Sequence, residues 1–301
     1  MSALAHAPTF ARARAHDLEG DWRAEAAVLG VPTDRAVGFR PGARWAPGAL
    51  REASQRYALP PEGFFDLARG ATVLAGLDLV DAGDVSLAGL DGVGERERIT
   101  AAARALRART ELPVFLGGDH AISFPLLRAF DDVPELHVVQ LDAHLDFSDR
   151  RGDDRYGNGS PFRRAVEALP NLVRVTVIGL RGLRTDPEAH AAALARGHTL
   201  LRTDAVRDDI AAVLSALPSD RNVYLSYDVD VLDPSLLSGT GSPEVDGLTY
   251  READAIVRAI ADRNTVIGAD LVELAPRLDP SGLSALVAAR AVIDLLAAVR
   301  G

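Results

Sequence analysis

The chain contains no cysteine among its 301 residues. This excludes thiolate nucleophiles, cysteine-ligated zinc, iron–sulfur clusters and disulfides. Lysine is absent as well, so all 33 basic residues are arginines. A phosphate-binding P-loop lysine and a Schiff-base lysine are therefore excluded too. These two absences remove most sulfur- and amine-based catalytic chemistry.

Long apolar runs are also missing, since no stretch reaches the roughly 18 uninterrupted apolar residues that a membrane span needs. The start of the chain lacks an apolar core and mixes Arg12 and Arg14 with Asp17 and Glu19, which does not predict a secretory signal. The formal net charge of −10 argues against a nucleic-acid partner, because binding a polyanion needs a basic patch. We therefore expect a cytoplasmic protein with neither a membrane nor a nucleic-acid partner.

Short runs rich in Val, Ile and Leu alternate with longer Ala-, Leu- and Arg-rich segments of helical character. This alternation predicts an α/β fold with three αβα layers around a mainly parallel central sheet. The predicted strands, most of them near-continuous apolar runs typical of buried strands, are 26–31, 114–116, 136–141, 173–178, 222–227 and 265–271. The predicted helices are 47–57, 95–109, 125–130, 161–168, 187–196, 208–217, 250–262 and 282–299.

Four of these helices are predicted to begin at a proline, where the missing N–H does no harm; these are Pro47, Pro125, Pro161 and Pro187. No internal repeat or long linker interrupts the chain. We therefore predict a single domain over 1–301, in which 1–20 form an N-terminal arm. The longest stretches without a predicted element, 147–160 and 233–248, are candidate walls of a site, because both come shortly after strands.

Polar segments directly follow three of the predicted strands. They are Gly-Gly-Asp-His at 117–120, Asp-Ala-His-Leu-Asp at 142–146 and Asp-Val-Asp at 228–230. In open parallel sheets ligands bind outside the carboxyl ends of the strands, so these segments are positioned to build a site. Residues two apart in an extended segment point to the same side, so the side chains within each segment can converge.

The converging side chains would be four carboxylates and two imidazoles: His120, Asp142, His144, Asp146, Asp228 and Asp230. Without cations such a cluster repels itself, whereas two divalent metal ions remove the repulsion. Carboxylates with a minority of imidazoles suit Mn²⁺ or a related first-row ion. Two such ions activate water, which predicts a hydrolase. The alternative is that the aspartates cap helices or turns and the histidines belong to a polar network.

The chain resembles the ureohydrolase family, manganese enzymes that include arginase, agmatinase and guanidino-acid hydrolases. The resemblance covers nearly the whole chain and is carried by Gly-Phe-Arg-Pro-Gly-Ala-Arg at 38–44, Asp-Ala-Gly-Asp at 81–84, the three segments above, Gly-Thr-Gly-Ser-Pro-Glu at 239–244 and Asp-Leu-Val-Glu at 270–273. It implies an arginase-like fold, two Mn²⁺ per subunit, and assembly as a homotrimer or homohexamer.

The same resemblance implies a role for each ligand: His120 and Asp146 on one ion, His144 and Asp230 on the other, and Asp142 and Asp228 bridging both. Glu273 matches the acid that holds the substrate's guanidinium. A buried glutamate paired with an arginine is the alternative for Glu273. The predicted catalytic residues are Asp146, Glu273 and Asn158, of which Glu273 and Asn158 also bind substrate.

Asn158 is a departure from the family, whose members usually carry a proton-shuttling histidine in a His-Gly-Thr-x-Phe stretch. The matching segment here is Asn-Gly-Ser-Pro-Phe at 158–162, and asparagine cannot titrate. Related enzymes that act on formimino groups, and some agmatinase-like sequences, also lack this histidine. His190 and His198 are not expected to replace it, because they are predicted to lie on an exposed helix face and in a structural turn.

Three substrates therefore stay open. The leading prediction is agmatine, hydrolysed to putrescine and urea; the alternatives are a guanidino acid of the guanidinobutyrate type and formiminoglutamate, which would release formamide. Loss of turnover in a metal-binding protein is a further alternative. The loop 147–156 does not decide, because its three acids, Asp149, Asp153 and Asp154, are balanced by Arg150, Arg151 and Arg155. An amine tail would favour the acids and a carboxylate tail the arginines.

Overall fold

A nine-stranded sheet forms the centre of the computed structural model, which describes residues 8–301. All neighbouring strands in it are parallel. In chain order its strands are β1 (Arg14–Ala15), β2 (Ala24–Gly30), β5 (Leu79–Asp84), β6 (Thr110–Leu116), β7 (Leu136–Leu141), β8 (Leu172–Leu180), β9 (Thr199–Arg202), β10 (Asn222–Asp228) and β11 (Thr265–Val272). The spatial order is β1-β5-β2-β6-β11-β10-β7-β8-β9, and a separate antiparallel pair is formed by β3 (Phe64–Asp66) and β4 (Ala71–Val73).

Helices cover both faces of the sheet. In chain order they are α1 (Ala46–Ala53), α2 (Gly92–Arg107), α3 (Ser123–Leu127), α4 (Pro161–Ala168), α5 (Pro187–Ala195), α6 (Thr203–Asp208), α7 (Ile210–Ala216), α8 (Tyr250–Arg263) and α9 (Leu283–Arg300). One apolar cluster packs α1, α6, α7, α8 and α9 on one face, and a second packs α2, α3, α4 and α5 on the other. The three-layer αβα prediction is therefore confirmed.

Several predicted boundaries are wrong in detail. The predicted helix 208–217 corresponds to α7 alone, which begins at Ile210 because Asp209 leaves the helical conformation and caps α7 through its side chain. The preceding helix α6, which ends at Asp208, was not predicted. Pro125 is the third residue of α3 instead of its first. The sequence prediction also missed the strands β1, β3, β4 and β5, which are short or carry polar residues.

The predicted N-terminal arm lies partly outside the described residues, which begin at residue 8. Its described part packs on the body of the protein. Phe10 is fully buried, and its backbone N–H donates to the Asp81 carboxylate at 2.8 Å. Asp81 in turn binds Arg51 of α1 at 2.7 Å, so a buried ion pair anchors this segment to β5.

The four central strands β6, β11, β10 and β7 are neighbours in the sheet, and each of them is followed by a predicted site segment. The topology therefore brings together residues that lie far apart in the chain. The ends of β6 and β11 are also joined directly, since Gly117 N–H donates to Leu271 O at 2.7 Å and Glu273 N–H donates to Gly118 O at 2.9 Å. Gly118 also lies against the backbone of the segment that follows β2. A Cβ at Gly118 would lie 1.9 Å from Thr33 O, so this position requires glycine.

Among the described residues, no helix is both long and apolar enough to cross a membrane.

Candidate metal centre and active site

The first group of converging side chains is centred on His120, which is fully buried. Its Nδ1 lies 3.1 Å from Asp142 Oδ2, 3.0 Å from Asp146 Oδ2 and 3.0 Å from Asp228 Oδ2. Among residues 8–301, this nitrogen has no partner at hydrogen-bonding geometry. An imidazole nitrogen that faces three carboxylate oxygens in this way is poised to share a cation with them.

The second group is centred on His144. Its Nδ1 lies 3.1 Å from Asp230 Oδ2 and 3.6 Å from Asp142 Oδ1. Asp142 thus offers one oxygen to each group, whereas Asp228 contributes to the first group alone. The bridging geometry is visible for Asp142, and the bridging role of Asp228 stays a prediction.

The segment 142–146 converges for a different reason from the one predicted. β7 ends at Leu141, and the following residues form bends instead of an extended strand. Asp142 Oδ1 accepts from His144 N–H at 2.6 Å, which turns the chain, and Asp146 adopts a left-handed φ of 48°. His144 and Asp146 therefore point to different groups, with Asp142 between them.

A buried chain of hydrogen bonds orients His120. Its Nε2 lies 2.9 Å from Ser226 Oγ, and the Ser226 hydroxyl donates to Asp270 Oδ1 at 2.6 Å. Because the hydroxyl proton goes to Asp270, Ser226 can only accept from His120 Nε2–H, which makes Nδ1 the nitrogen that faces the carboxylates and is available to a metal ion. Histidines that bind metals are commonly held by such a partner on the other nitrogen. His144 Nε2 likewise lies 3.4 Å from Glu244 Oε1.

The acidity of the cluster is perturbed as expected for carboxylates held together without a cation. Burial and the neighbouring Asp230 and Asp142 raise the pKa of Asp228 well above its usual value, and burial with Asp142 raises the pKa of Asp146 to about 6. Burial lowers the pKa of His120, but its contacts with the aspartates outweigh burial and raise it well above the usual value. Divalent ions would take the place of these bound protons.

The donor set therefore fits two first-row divalent ions. Adjacent ligands at right angles around an ion with bonds of about 2.1 Å lie about 3 Å apart. The His120 and His144 contacts to the aspartates have this spacing, at 3.0 to 3.1 Å. All donors are imidazole nitrogens and carboxylate oxygens, which exclude a soft-metal site.

Glu273 lies beside this cluster, 3% exposed, with a left-handed φ of 65°. Its Oε1 accepts from the backbone N–H of His120 at 2.9 Å and from the side-chain amide of Asn158 at 3.0 Å. Its Oε2 has no hydrogen-bond partner among the described residues. Burial raises the pKa of Glu273 to about 7, and the two hydrogen bonds act against that rise. No arginine pairs with Glu273 in the described part of the chain, contrary to the structural alternative.

A cavity of about 430 Å³ opens onto this site, and His144, Asp146, Asn158, Asp228, Asp230 and Glu273 all line it. His190 and His198 do not line it. His190 is exposed on α5. His198 is buried against Phe147 and accepts from Val175 N–H at 3.2 Å, so both histidines lie where the sequence predicted.

The sequence analysis assigned no role to Gln140, Ser226 and Asp270, which support the ligands. Gln140 and Ser226 each precede a predicted ligand by two residues in a strand, and so lie on the same face of the sheet. Gln140 donates to Asp142 Oδ2 at 2.6 Å. This spacing is the one signal that could have found Gln140 and Ser226.

A family model for the arginase family matches residues 24–298. The chain belongs to the arginase family. It is 35% identical to the human mitochondrial guanidino acid hydrolase over 91% of this chain and 78% of that protein, and 33% identical to the agmatinase of Cronobacter sakazakii over 98% and 94%.

Solved structures agree with this assignment. The proclavaminate amidino hydrolase of Streptomyces clavuligerus superposes with a TM-score of 0.87 at 27% identity, covering 98% of each chain. The formiminoglutamase of Trypanosoma cruzi, solved with Mn²⁺, has a TM-score of 0.81 at 25% identity, covering 97% of this chain and 98% of that one. This arginase-family protein is thus a hydrolase acting on amidino C–N bonds, and its arginase-like fold is confirmed.

Proposed function

We propose that this arginase-family protein hydrolyses a guanidino compound at a binuclear manganese site and releases urea. The observation that carries the proposal is the pair of ligand groups that share Asp142. His120, Asp142, Asp146 and Asp228 would hold one ion, and Asp142, Asp228, His144 and Asp230 the other. Two bound ions would supply an activated water and an electrophilic environment for the substrate carbon. The imidazole and carboxylate donors support manganese.

Glu273 binds the substrate's guanidinium in this proposal. Its Oε1 is fixed by the His120 N–H and by Asn158, while Oε2 is left for the planar cation. A buried carboxylate that faces a guanidinium gives charge-assisted, directional hydrogen bonds. Asn158 thus acts by orienting Glu273.

Proton transfer to the leaving amine is assigned to Asp146. Asn158 has no titratable proton, whereas Asp146 is a carboxylate that lines the open cavity. Removing Asp146 therefore removes both a metal ligand and the proton carrier.

Agmatine, the substrate predicted first from the sequence, is the first candidate among the guanidino compounds. Formiminoglutamate is the second candidate, and Asn158 in place of the usual histidine is the observation that favours it. We also propose a homotrimer or homohexamer in solution, which light scattering after size exclusion tests.

The experiment is a product assay with purified, Mn²⁺-loaded protein. Urea from agmatine or 4-guanidinobutyrate supports the proposal. Formamide from formiminoglutamate, with no urea from any guanidine, replaces it with the second candidate. Two bound ions with no product from any amidine indicate a metal-binding protein without turnover.

A further inference from the structure

The mouth of the active-site cavity is rich in arginine. Four arginines line it, against two aspartates outside the ligand set: Arg35, Arg150, Arg151 and Arg184, with Asp154 and Asp186. These arginines are exposed, whereas Glu273 at the floor is 3% exposed. The cavity thus runs from a buried acidic floor to a positively charged mouth, although the chain as a whole carries a net charge of −10.

Two of the four arginines already have acidic partners. Arg35 binds Glu95 at 3.0 Å. Arg150 lies 3.5 Å from Asp149, a carboxylate that also binds Arg155 and Arg164. Arg151 and Arg184, in contrast, have no carboxylate within ion-pair distance among residues 8–301.

The position of Arg151 is restricted by backbone contacts. A Cβ at Gly38 would lie 1.8 Å from Arg151 Nη1, so the guanidinium rests directly on the glycine backbone. The loop is closed by Arg151 N–H donating to Asp154 O at 2.8 Å and by Asp154 N–H donating to Arg151 O at 3.2 Å. These contacts hold the Arg151 guanidinium at the mouth of the cavity.

Each of the two aspartates at the mouth has one carboxylate oxygen held by a backbone N–H. Asp154 Oδ1 accepts from Tyr156 N–H at 2.8 Å, and Asp186 Oδ1 accepts from Glu188 N–H at 2.9 Å as the N-cap of α5. Both carboxylates are thus part of the local fold. Outside the ligand set, the charged side chains at the mouth are four arginines and two aspartates, so the mouth carries a net positive charge.

We infer that Arg151 and Arg184 form a subsite for a carboxylate, and that the substrate is an amidine compound with an anionic tail. The inference rests on the proposed function, since Glu273 must hold the cationic head at the floor. An arginine pair gives charge-assisted hydrogen bonds to a carboxylate. An ammonium tail such as that of agmatine meets like charge there, which disfavours it.

The test compares three guanidines of similar length that differ in the charge of the tail: 4-guanidinobutyrate, butylguanidine and agmatine. We expect the Mn²⁺-loaded wild type to show a kcat/KM for 4-guanidinobutyrate at least about tenfold above that for agmatine. Arg151→Ala and Arg184→Ala should each lower the 4-guanidinobutyrate value by about tenfold or more, mainly through KM. Neither should lower the values for butylguanidine or agmatine.

Arg155→Ala is the matched control, because Arg155 carries the same charge on the same loop, binds Asp149 and does not line the cavity. The inference is overturned if the wild type prefers agmatine. It is also overturned if Arg151→Ala and Arg184→Ala lower kcat/KM equally for all three substrates, or if their kcat/KM values match those of Arg155→Ala.

Other outcomes separate the subsite from the proposed function. Formamide from formiminoglutamate, lost in Arg151→Ala, keeps the carboxylate subsite and removes the urea-releasing function. If no substrate is turned over, the proposed function fails, and calorimetry decides the subsite. The subsite inference then stands only if 4-guanidinobutyrate binds to the wild type at least about tenfold more tightly than to Arg151→Ala.

Discussion

Ser226→Ala is the substitution that tests how the fold prepares His120 as a ligand. Ser226 is fully buried, accepts from His120 Nε2–H across 2.9 Å and donates to Asp270 Oδ1 at 2.6 Å. Alanine removes both bonds and leaves two buried polar atoms without partners. His120 then loses the contact that fixes its tautomer and ring orientation.

The expected size of the effect follows from these two losses. A buried polar group left unpaired costs about 1–3 kcal/mol. Loss of the partner that orients a ligating histidine typically lowers metal affinity by about 10- to 100-fold. We therefore expect Ser226→Ala to weaken Mn²⁺ binding by that factor, equivalent to about 1.4–2.8 kcal/mol. Saturating Mn²⁺ should restore much of the activity.

Ser123→Ala is the matched control. Ser123 is equally buried and donates to the other oxygen of Asp270 at 2.8 Å, where Tyr224 OH also donates at 2.9 Å. The Ser123 hydroxyl makes no hydrogen bond to the His120 ring, and its backbone N–H, which donates to His120 O, is unchanged by the substitution. Mn²⁺ affinity should therefore stay near the wild-type value. Isothermal titration of the metal-free proteins measures the difference. Equal affinity losses in both variants, or none in Ser226→Ala, would refute the positioning argument.

Three further predictions concern the site and its support. Asp142→Ala and Asp228→Ala should each abolish urea release, because each removes a ligand assigned to both ions; near-normal turnover in a steady-state assay would show that the assignment is wrong. Asn158→Ala should lower kcat/KM about tenfold by freeing Glu273, whereas an unchanged value would remove its orienting role. Burial lowers the pKa of His198 to about 4, below its ordinary 6.5, so the unfolded chain takes up the proton first and stability should fall as pH drops from about 6.5 to 4. His198→Gln should lack this part of the acid sensitivity in urea unfolding at several pH values, and equal sensitivity would contradict it.

The layered fold was predictable because its strongest signals are local. Strands such as β7 and β10 are mostly apolar and buried, and the alternation of strands with helical segments leaves few architectures open. The elements that were missed carry weaker signals. β5 contains two aspartates, Asp81 and Asp84, and both pair with Arg51, so the strand depends on a partner far away in the chain.

The convergence of the six predicted ligands was predictable for a related reason. Placing charged residues at the ends of buried strands is costly unless a site uses them, and the spacing within each segment made convergence plausible. Residue spacing alone could not predict that the ligands divide into two groups. It depends on the bend after Asp142 and on the left-handed backbone of Asp146, which the surrounding structure imposes.

The charge of the cavity mouth was undecidable from the sequence, since the loop contains equal numbers of acids and arginines. The structure separates them by their partners. Asp149 and Asp154 are engaged in the fold, while Arg151 has no acid within reach in the described chain. Which charges stay unpaired is a property of three-dimensional contacts.

Anomalous diffraction from crystals grown with Mn²⁺ tests the central claim, a two-metal site shared through Asp142, most directly. The account predicts two manganese peaks per chain, one beside His120 and one beside His144, with Asp142 contacting both ions. A single ion between the two histidines, or manganese bound elsewhere on the protein, would contradict it.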